Sequence, residues 1–292
     1  MSDITGAPSS STIMRWTTLV VVAANLAFIA VYSSLGESPP IAAVVAEYGN
    51  TFVPAGFAKA ICVAILVAFL FFYFAALWPR RHRKRIYDRL VIPLALTGVL
   101  ASSWIVAFRH EAIGVSTALI AVGVALGFVM FVRVASVSPG KYSCWLRVPF
   151  SLHFGAMTIA LLVAVTQWLI AADLLAGTAV LPDDVATIFF AIAAATGAFV
   201  ALRYSDFVYP AVIASSMGAM FIAQRAYDTD VAADALIVFV GMLVVVVLAA
   251  IALARQPVRD PKGRASRKRA RVARRAQDER WYLEANSSIM RF

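Results

Sequence analysis

Long apolar runs separated by short polar clusters dominate the chain. A bilayer core needs about 20 mainly apolar residues as helix. Eight segments meet or approach that length: roughly 16–35, 53–78, 90–109, 114–135, 148–172, 185–203, 207–224 and 235–254. The seventh is the weakest, because Pro210, Ser215, Ser216 and Gly218 dilute it. The pattern predicts an all-α, polytopic transmembrane helix bundle of about eight spans. The first run is too long for the h-region of a cleaved leader, and no small-residue cleavage site follows it before Pro39 and Pro40. It therefore reads as a retained helix.

The polar clusters between the runs set a direction. The loop after the second run reads PRRHRKRIYDR, the loop after the fourth holds Arg133, Lys141 and Arg147, and Arg203 follows the sixth. The alternate loops carry Glu37, Glu47, Glu111, Asp183, Asp184, Asp228, Asp230 and Asp234, with only Arg109 and Arg225 as bases. Lys and Arg gather in cytoplasmic loops. Eight spans with both termini in the cytoplasm satisfy every loop. Seven spans would place either the basic tail or the PRRHRKR loop outside. Between the first two spans, Ile41, Val44, Val45 and Tyr48 follow a 3–4 spacing. Residues 36–52 fit a short interfacial helix or a plain loop equally well.

Composition agrees with this reading. Hydrophobic residues make up 62% of the 292, and charged ones 14%, where soluble domains carry about 25%. Mean hydropathy is +0.82. A soluble globule cannot hide that much apolar surface, so a soluble enzyme, a disordered chain and a disulfide scaffold are excluded. The net charge of +10 is unevenly placed: residues 255–292 hold 12 Lys/Arg against 4 Asp/Glu, a net of +8. In that tail Arg264, Arg267, Lys268, Arg271, Arg274 and Arg275 form a dense basic cluster, in part at helical spacing, beyond Pro257 and Pro261. Juxtamembrane clusters of this kind attract anionic lipid at about 1 kcal/mol per basic residue. Membrane lipid is the first expected partner of the tail, and an acidic protein face the second. Nucleic acid is the least expected, since no recognisable module accompanies the charge.

Chemical motifs are few. The chain has no GxGxxG, Walker loop, HExxH, CxxC or GxSxG, and the expectation is a protein that is not an enzyme. Cys62 and Cys144 form neither a metal cluster nor a disulfide framework. His110 and His153 fall at opposite ends of their spans, about 30 Å apart in depth, which disfavours a bis-histidine haem. His153 is expected to be buried and hydrogen-bonded. Lys59, inside the second span, either faces the bundle with Asp173 or Glu47 as partner or snorkels to the headgroups. Asn25, Ser102, Ser103, Thr158, Thr166 and Gln167 are expected to bond between helices or back to their own helix. Trp16, Trp78 and Trp145 stand at span ends as interface anchors. Trp104 and Trp168, with Phe57, Phe108, Phe150 and Phe154, either pack the bundle or wall a pocket for a flat apolar ligand.

Three motifs resemble one family. Tyr48-Gly49-Asn50-Thr51-Phe52-Val53-Pro54-Ala55-Gly56-Phe57-Ala58 looks like the loop-to-helix entry of the TspO/MBR (translocator protein, tryptophan-rich sensory protein) family, in its longer bacterial branch. Leu100-x-x-x-Trp104 is similar to the L-N-x-x-W of that family's third helix, with Ala101 in place of the Asn. Trp145-Leu146-Arg147-Val148-Pro149-Phe150-Ser151 is similar to the start of its fifth helix, with His153 at an aromatic position. The resemblance covers about residues 16–175. It implies a cytoplasmic N-terminus (1–15), a five-helix membrane core (16–175), three additional helices (176–254) and the basic tail (255–292). It also implies that a porphyrin, sterol or other hydrophobic ligand binds between the helices. Pro54, Ala55, Gly56 and Phe57 would shape the pocket entrance, with Lys59 nearby. Trp104, Phe108, Pro149, Phe150 and His153 would line its wall. Two functions stay open: a ligand-binding sensor or transporter of this type, and a non-catalytic subunit or assembly factor of a larger membrane complex. Either is compatible with a homodimer.

Overall fold

The computed structural model describes residues 10–34, parts of 64–72, and 85–137, 144–175, 182–225 and 228–255. Seven helices are described. They are α1 (Ser10–Ser34), α2 (Arg85–Arg109), α3 (Ile113–Val137), α4 (Cys144–Ala171), α5 (Asp183–Tyr204), α6 (Val208–Gln224) and α7 (Thr229–Arg255). Residues 64–65, 67–69 and 71–72 are also helical. Every predicted span outside 53–78 coincides with one of the seven. Five helices are long and apolar enough to cross a membrane, and α6 and the Trp16–Asn25 part of α1 are shorter apolar helices. Among the described residues every regular element is a helix, so the fold is a helical membrane bundle.

Neighbour pairs fix how the helices run. Along α3 and α4, Gly114 faces Trp168 and Gly127 faces His153, while Thr117 Oγ1 donates to the Ala164 carbonyl at 3.1 Å. Numbers rise on one helix as they fall on the other, so the pair is antiparallel. The α2–α3 hairpin turns tightly after Arg109, and at its far end Arg133 Nη1 donates to the Arg89 carbonyl at 3.2 Å. On the other side of α4, Ser151 meets Asp206 and Thr158 meets Tyr209. Here both numbers rise together, so α4 and α6 run parallel, as do α5 and α7 through Thr187–Asp234 and Gly197–Met242. Ser102 Oγ donates to Asn25 Oδ1 at 2.6 Å, and Phe28 borders Val106 and Ala107, so α1 and α2 also run parallel.

This arrangement gives the bundle one basic and one acidic end. Arg89, Arg133, Arg147, Arg203 and Arg255 fall at the end where α3, α5 and α7 finish. Glu111, Asp173, Asp183, Asp184, Asp228, Asp230 and Asp234 fall at the other. Aspartates start two helices: Asp228 Oδ1 accepts from the Asp230 and Val231 amides, and Asp206 Oδ1 from those of Val208 and Tyr209. Each satisfies two amides that a helix start leaves open. Glu111, Asp173 and Ser205, at φ 56°, 53° and 49°, adopt the left-handed conformation that stops α2, α4 and α5.

One boundary differs from the sequence reading, and one span differs in its surroundings. The fifth span starts at Cys144, so Pro149 lies in the second turn of α4, where it removes one ladder hydrogen bond, and not at the helix start. The seventh span, weakest in hydropathy, is the most enclosed helix: Tyr209, Ile213, Met217, Ala219 and Met220 of α6 are fully buried. A helix surrounded by protein needs small, close-packing residues more than lipid-facing apolar ones. That is why Ser215, Ser216 and Gly218 are tolerated there.

Candidate functional site

Phe150 and His153 project from α4 toward the helical stretch 64–72. The Phe150 ring meets Phe69 at 5.6 Å and Phe72 at 5.0 Å, both edge-to-face. His153 meets Phe69 at 5.6 Å. Behind them Phe154 stacks on Phe131 at 5.8 Å and lies 4.8 Å from Tyr209. Edge-to-face and offset rings are the arrangements that aromatic quadrupoles favour. His153 is 8% exposed, and its Nε2 is buried with no hydrogen-bond partner. The expected burial is present. The expected hydrogen bond is absent at this nitrogen.

Trp104 and Phe108 form a second aromatic pair on α2, with centroids 5.6 Å apart. Phe108 is buried, and Trp104 Nε1 is buried without an acceptor. They do not share a level with His153. Gly127 marks His153's level on α3, and the α2–α3 pairing carries that level to about residue 95 on α2. Nine helical residues, roughly 14 Å at 1.5 Å per residue, therefore separate Trp104 from it in depth. The predicted wall residues split into a lower group (Pro149, Phe150, His153) and an upper pair (Trp104, Phe108). Trp168 is 41% exposed and belongs to neither. Pro54, Ala55, Gly56, Phe57 and Lys59, and the tail residues Arg264 to Arg275, lie outside the described residues.

An open groove of about 430 Å³ lies elsewhere, between α1, α2 and α3. Phe28, Ser102, Ser103, Val106, Ala107, Val115 and Leu119 line it, and none was expected as a site residue. At 100° per residue, Val106 points about 160° from both Trp104 and Phe108. The groove is thus on the far side of α2 from the aromatic pair.

Most of the other buried polar groups have the partners expected of them. Asn25 Nδ2 donates to the Val21 carbonyl at 2.7 Å. Thr158 Oγ1 donates to Phe154's carbonyl at 2.9 Å and accepts from Tyr209 at 3.0 Å. Thr166 Oγ1 donates to the Val163 carbonyl. Gln167 is the exception: it is 2% exposed and its Nε2 has no partner. Sequence reasoning also passed over Asp206, 4% exposed, which accepts from Ser151 Oγ at 2.7 Å besides capping α6. The available signal was an acid immediately before an apolar run. Next to it, Arg147 Nη1 donates to the Tyr204 carbonyl at 2.9 Å.

A bundle of apolar helices with buried aromatic clusters and unpaired polar atoms in its interior is an integral, multi-pass membrane protein. Its family follows from the sequence profile of the TSPO-like proteins, which matches residues 13–253. The chain belongs to that family. The match runs past residue 175 and takes in α5, α6 and most of α7. No curated protein and no solved structure matches the chain.

Proposed function

We propose that this protein binds a flat hydrophobic, tetrapyrrole-like ligand between its helices, in a sensing or transport role without catalysis. The observation that carries the reading is His153: a buried imidazole with an unpartnered Nε2, walled by Phe69 and close to Phe150. Aromatic faces suit a planar apolar molecule, and one polar atom among them fixes its orientation. The basic end and both termini face the cytoplasm of a bacterial inner membrane, as the charge asymmetry supports. Pro54, Ala55, Gly56 and Phe57 shape the entrance on the acidic, outer side. The basic tail holds anionic lipid through Arg264, Arg267, Lys268, Arg271, Arg274 and Arg275.

Titration of the purified protein with protoporphyrin IX, followed by tryptophan fluorescence, tests this reading. Saturable quenching is expected. Quenching that rises linearly, as it does for free tryptophan, sinks it.

A second reading, a non-catalytic subunit or assembly factor, draws on α7. Its span has the highest mean hydropathy of the five long helices, 3.3, yet only 17% of it is buried, against 56% for α4. Such a face suits a neighbouring membrane helix as well as lipid. Native pull-down that recovers only this chain would count against it.

A further inference from the structure

We infer that the groove between α1, α2 and α3 binds a neutral, lipid-soluble quinone, with a ring carbonyl on Ser103 and the tail in the bilayer. The inference goes beyond the tetrapyrrole reading, since this groove lies on the far side of α2 from Trp104 and Phe108. Its three walls are in contact. Ser102 Oγ donates to Asn25 Oδ1, which joins α2 to α1, and α2 turns directly into α3 after Arg109. The volume of about 430 Å³ falls within the range of small-molecule sites, about 300–1,000 Å³.

The groove opens on the outer surface of two spans. Val99, Val115 and Val122, on the same side of α2 and α3, are exposed, and both helices have the length and apolarity of membrane spans. A ligand therefore enters sideways from the bilayer. Apart from Ser102 and Ser103, the described lining is apolar. An ion placed there would go uncompensated, so the ligand is neutral.

Ser103 supplies the polar contact. Serines and threonines within helices often bond back to their own backbone. Thr97 does so to the Pro93 carbonyl at 2.9 Å, and Ser116 to that of Ile113 at 2.9 Å, while Ser102 is committed to Asn25. Ser103 lines the groove, is exposed, and makes no hydrogen bond. Its hydroxyl is a free donor in an apolar setting, where a hydrogen bond counts for most.

Depth selects the ligand class. Ser103 lies six residues before Arg109, the end of α2, which puts it roughly 9 Å inside the acidic end. A phospholipid ester or a sterol hydroxyl is held at the water boundary and does not reach that level. A quinone carbonyl is uncharged and has no such anchor. Its flat ring fits beside Phe28 in the α1 wall, and its apolar tail continues into lipid.

The test titrates the full-length protein in detergent with decylubiquinone, followed by tryptophan quenching. Decylbenzene, which keeps a ring and the tail without carbonyls, and cholesterol serve as competitors. Saturable quenching is expected in the wild type. Ser103→Ala should weaken decylubiquinone about fivefold, the worth of one neutral hydrogen bond, and leave decylbenzene within about twofold. Its melting temperature should match the wild type, since the hydroxyl bonds nothing in the fold. Ala107→Phe fills the groove one turn from Ser103 and should weaken both compounds about tenfold or more. His153→Phe should leave decylubiquinone affinity unchanged. Quenching that never saturates in the wild type, unchanged affinity in Ser103→Ala, or an equal loss for decylbenzene overturns the inference. So does displacement by cholesterol at or below the decylubiquinone concentration, or a matching loss in His153→Phe. The protoporphyrin IX titration of the tetrapyrrole reading is independent of all these outcomes.

Discussion

On the side of α4 that meets α6, polar groups find partners. Ser151 donates to Asp206, and Tyr209 donates to Thr158. Arg147 Nη1 donates to the Tyr204 carbonyl, while its Nε is buried without a partner. On the side that carries His153 and Gln167, the nitrogens of both are buried without partners. The same helix thus has one face whose polarity is spent on holding the bundle together and another whose polarity is kept in reserve. In an apolar interior an unmade hydrogen bond costs far more than a made one contributes. Substitutions on the α6 face should therefore destabilise, and substitutions on the other face should cost little stability and act on binding.

The largest effect is expected at Asp206. Asp206→Ala removes the acceptor for Ser151 and for two amides of α6. It should cost about 3 kcal/mol in denaturant unfolding, combining a lost cap with a lost charged hydrogen bond. Next comes Gly155. A Cβ added there would lie 3.0 Å from Val212 Cβ, a branched side chain with little room to turn. Gly155→Ala should cost about 1–2 kcal/mol by forcing α4 and α6 apart, read as a lower melting temperature. Tyr209→Phe keeps the ring against Phe154 and deletes the bond to Thr158. A loss of about 1 kcal/mol is expected, and no loss would mean that the α6 face is not held by its polar pairs. The smallest change is at Ser205, whose φ of 49° suits glycine better than serine. Ser205→Gly should gain about 0.5–1 kcal/mol without altering ligand affinity.

The spans were legible because a bilayer demands apolar length, and seven of the eight expected runs coincide with described helices. Charge placement was legible for the same reason: most bases sit at one end and most acids at the other, with Arg109 and Arg225 among the acids and Asp206 among the bases. The α6 helix shows the limit. Its hydropathy is diluted because protein, not lipid, surrounds it, and no single-sequence window distinguishes those two environments. The sequence places the α4 start too late because Pro149 reads as a helix opener, while the helix accommodates it in its second turn. In the site, aromatic residues were identifiable by type, but not the depth that separates Trp104 from His153. That separation depends on the register of α2 against α3 and α4. By type Gln167 belongs with the helix-bonding polar residues; only its surroundings set it apart from Thr158 and Thr166.

The most direct test of the central claim compares wild type with His153→Phe in a protoporphyrin IX titration followed at the Soret band. Phenylalanine keeps the aromatic packing around Phe69 and deletes the unpaired nitrogen. A saturable Soret shift is expected in the wild type, with an affinity about tenfold weaker in the variant and unchanged or higher stability of the ligand-free variant. Equal affinity in the two proteins, or a Soret shift that never saturates in the wild type, would contradict it.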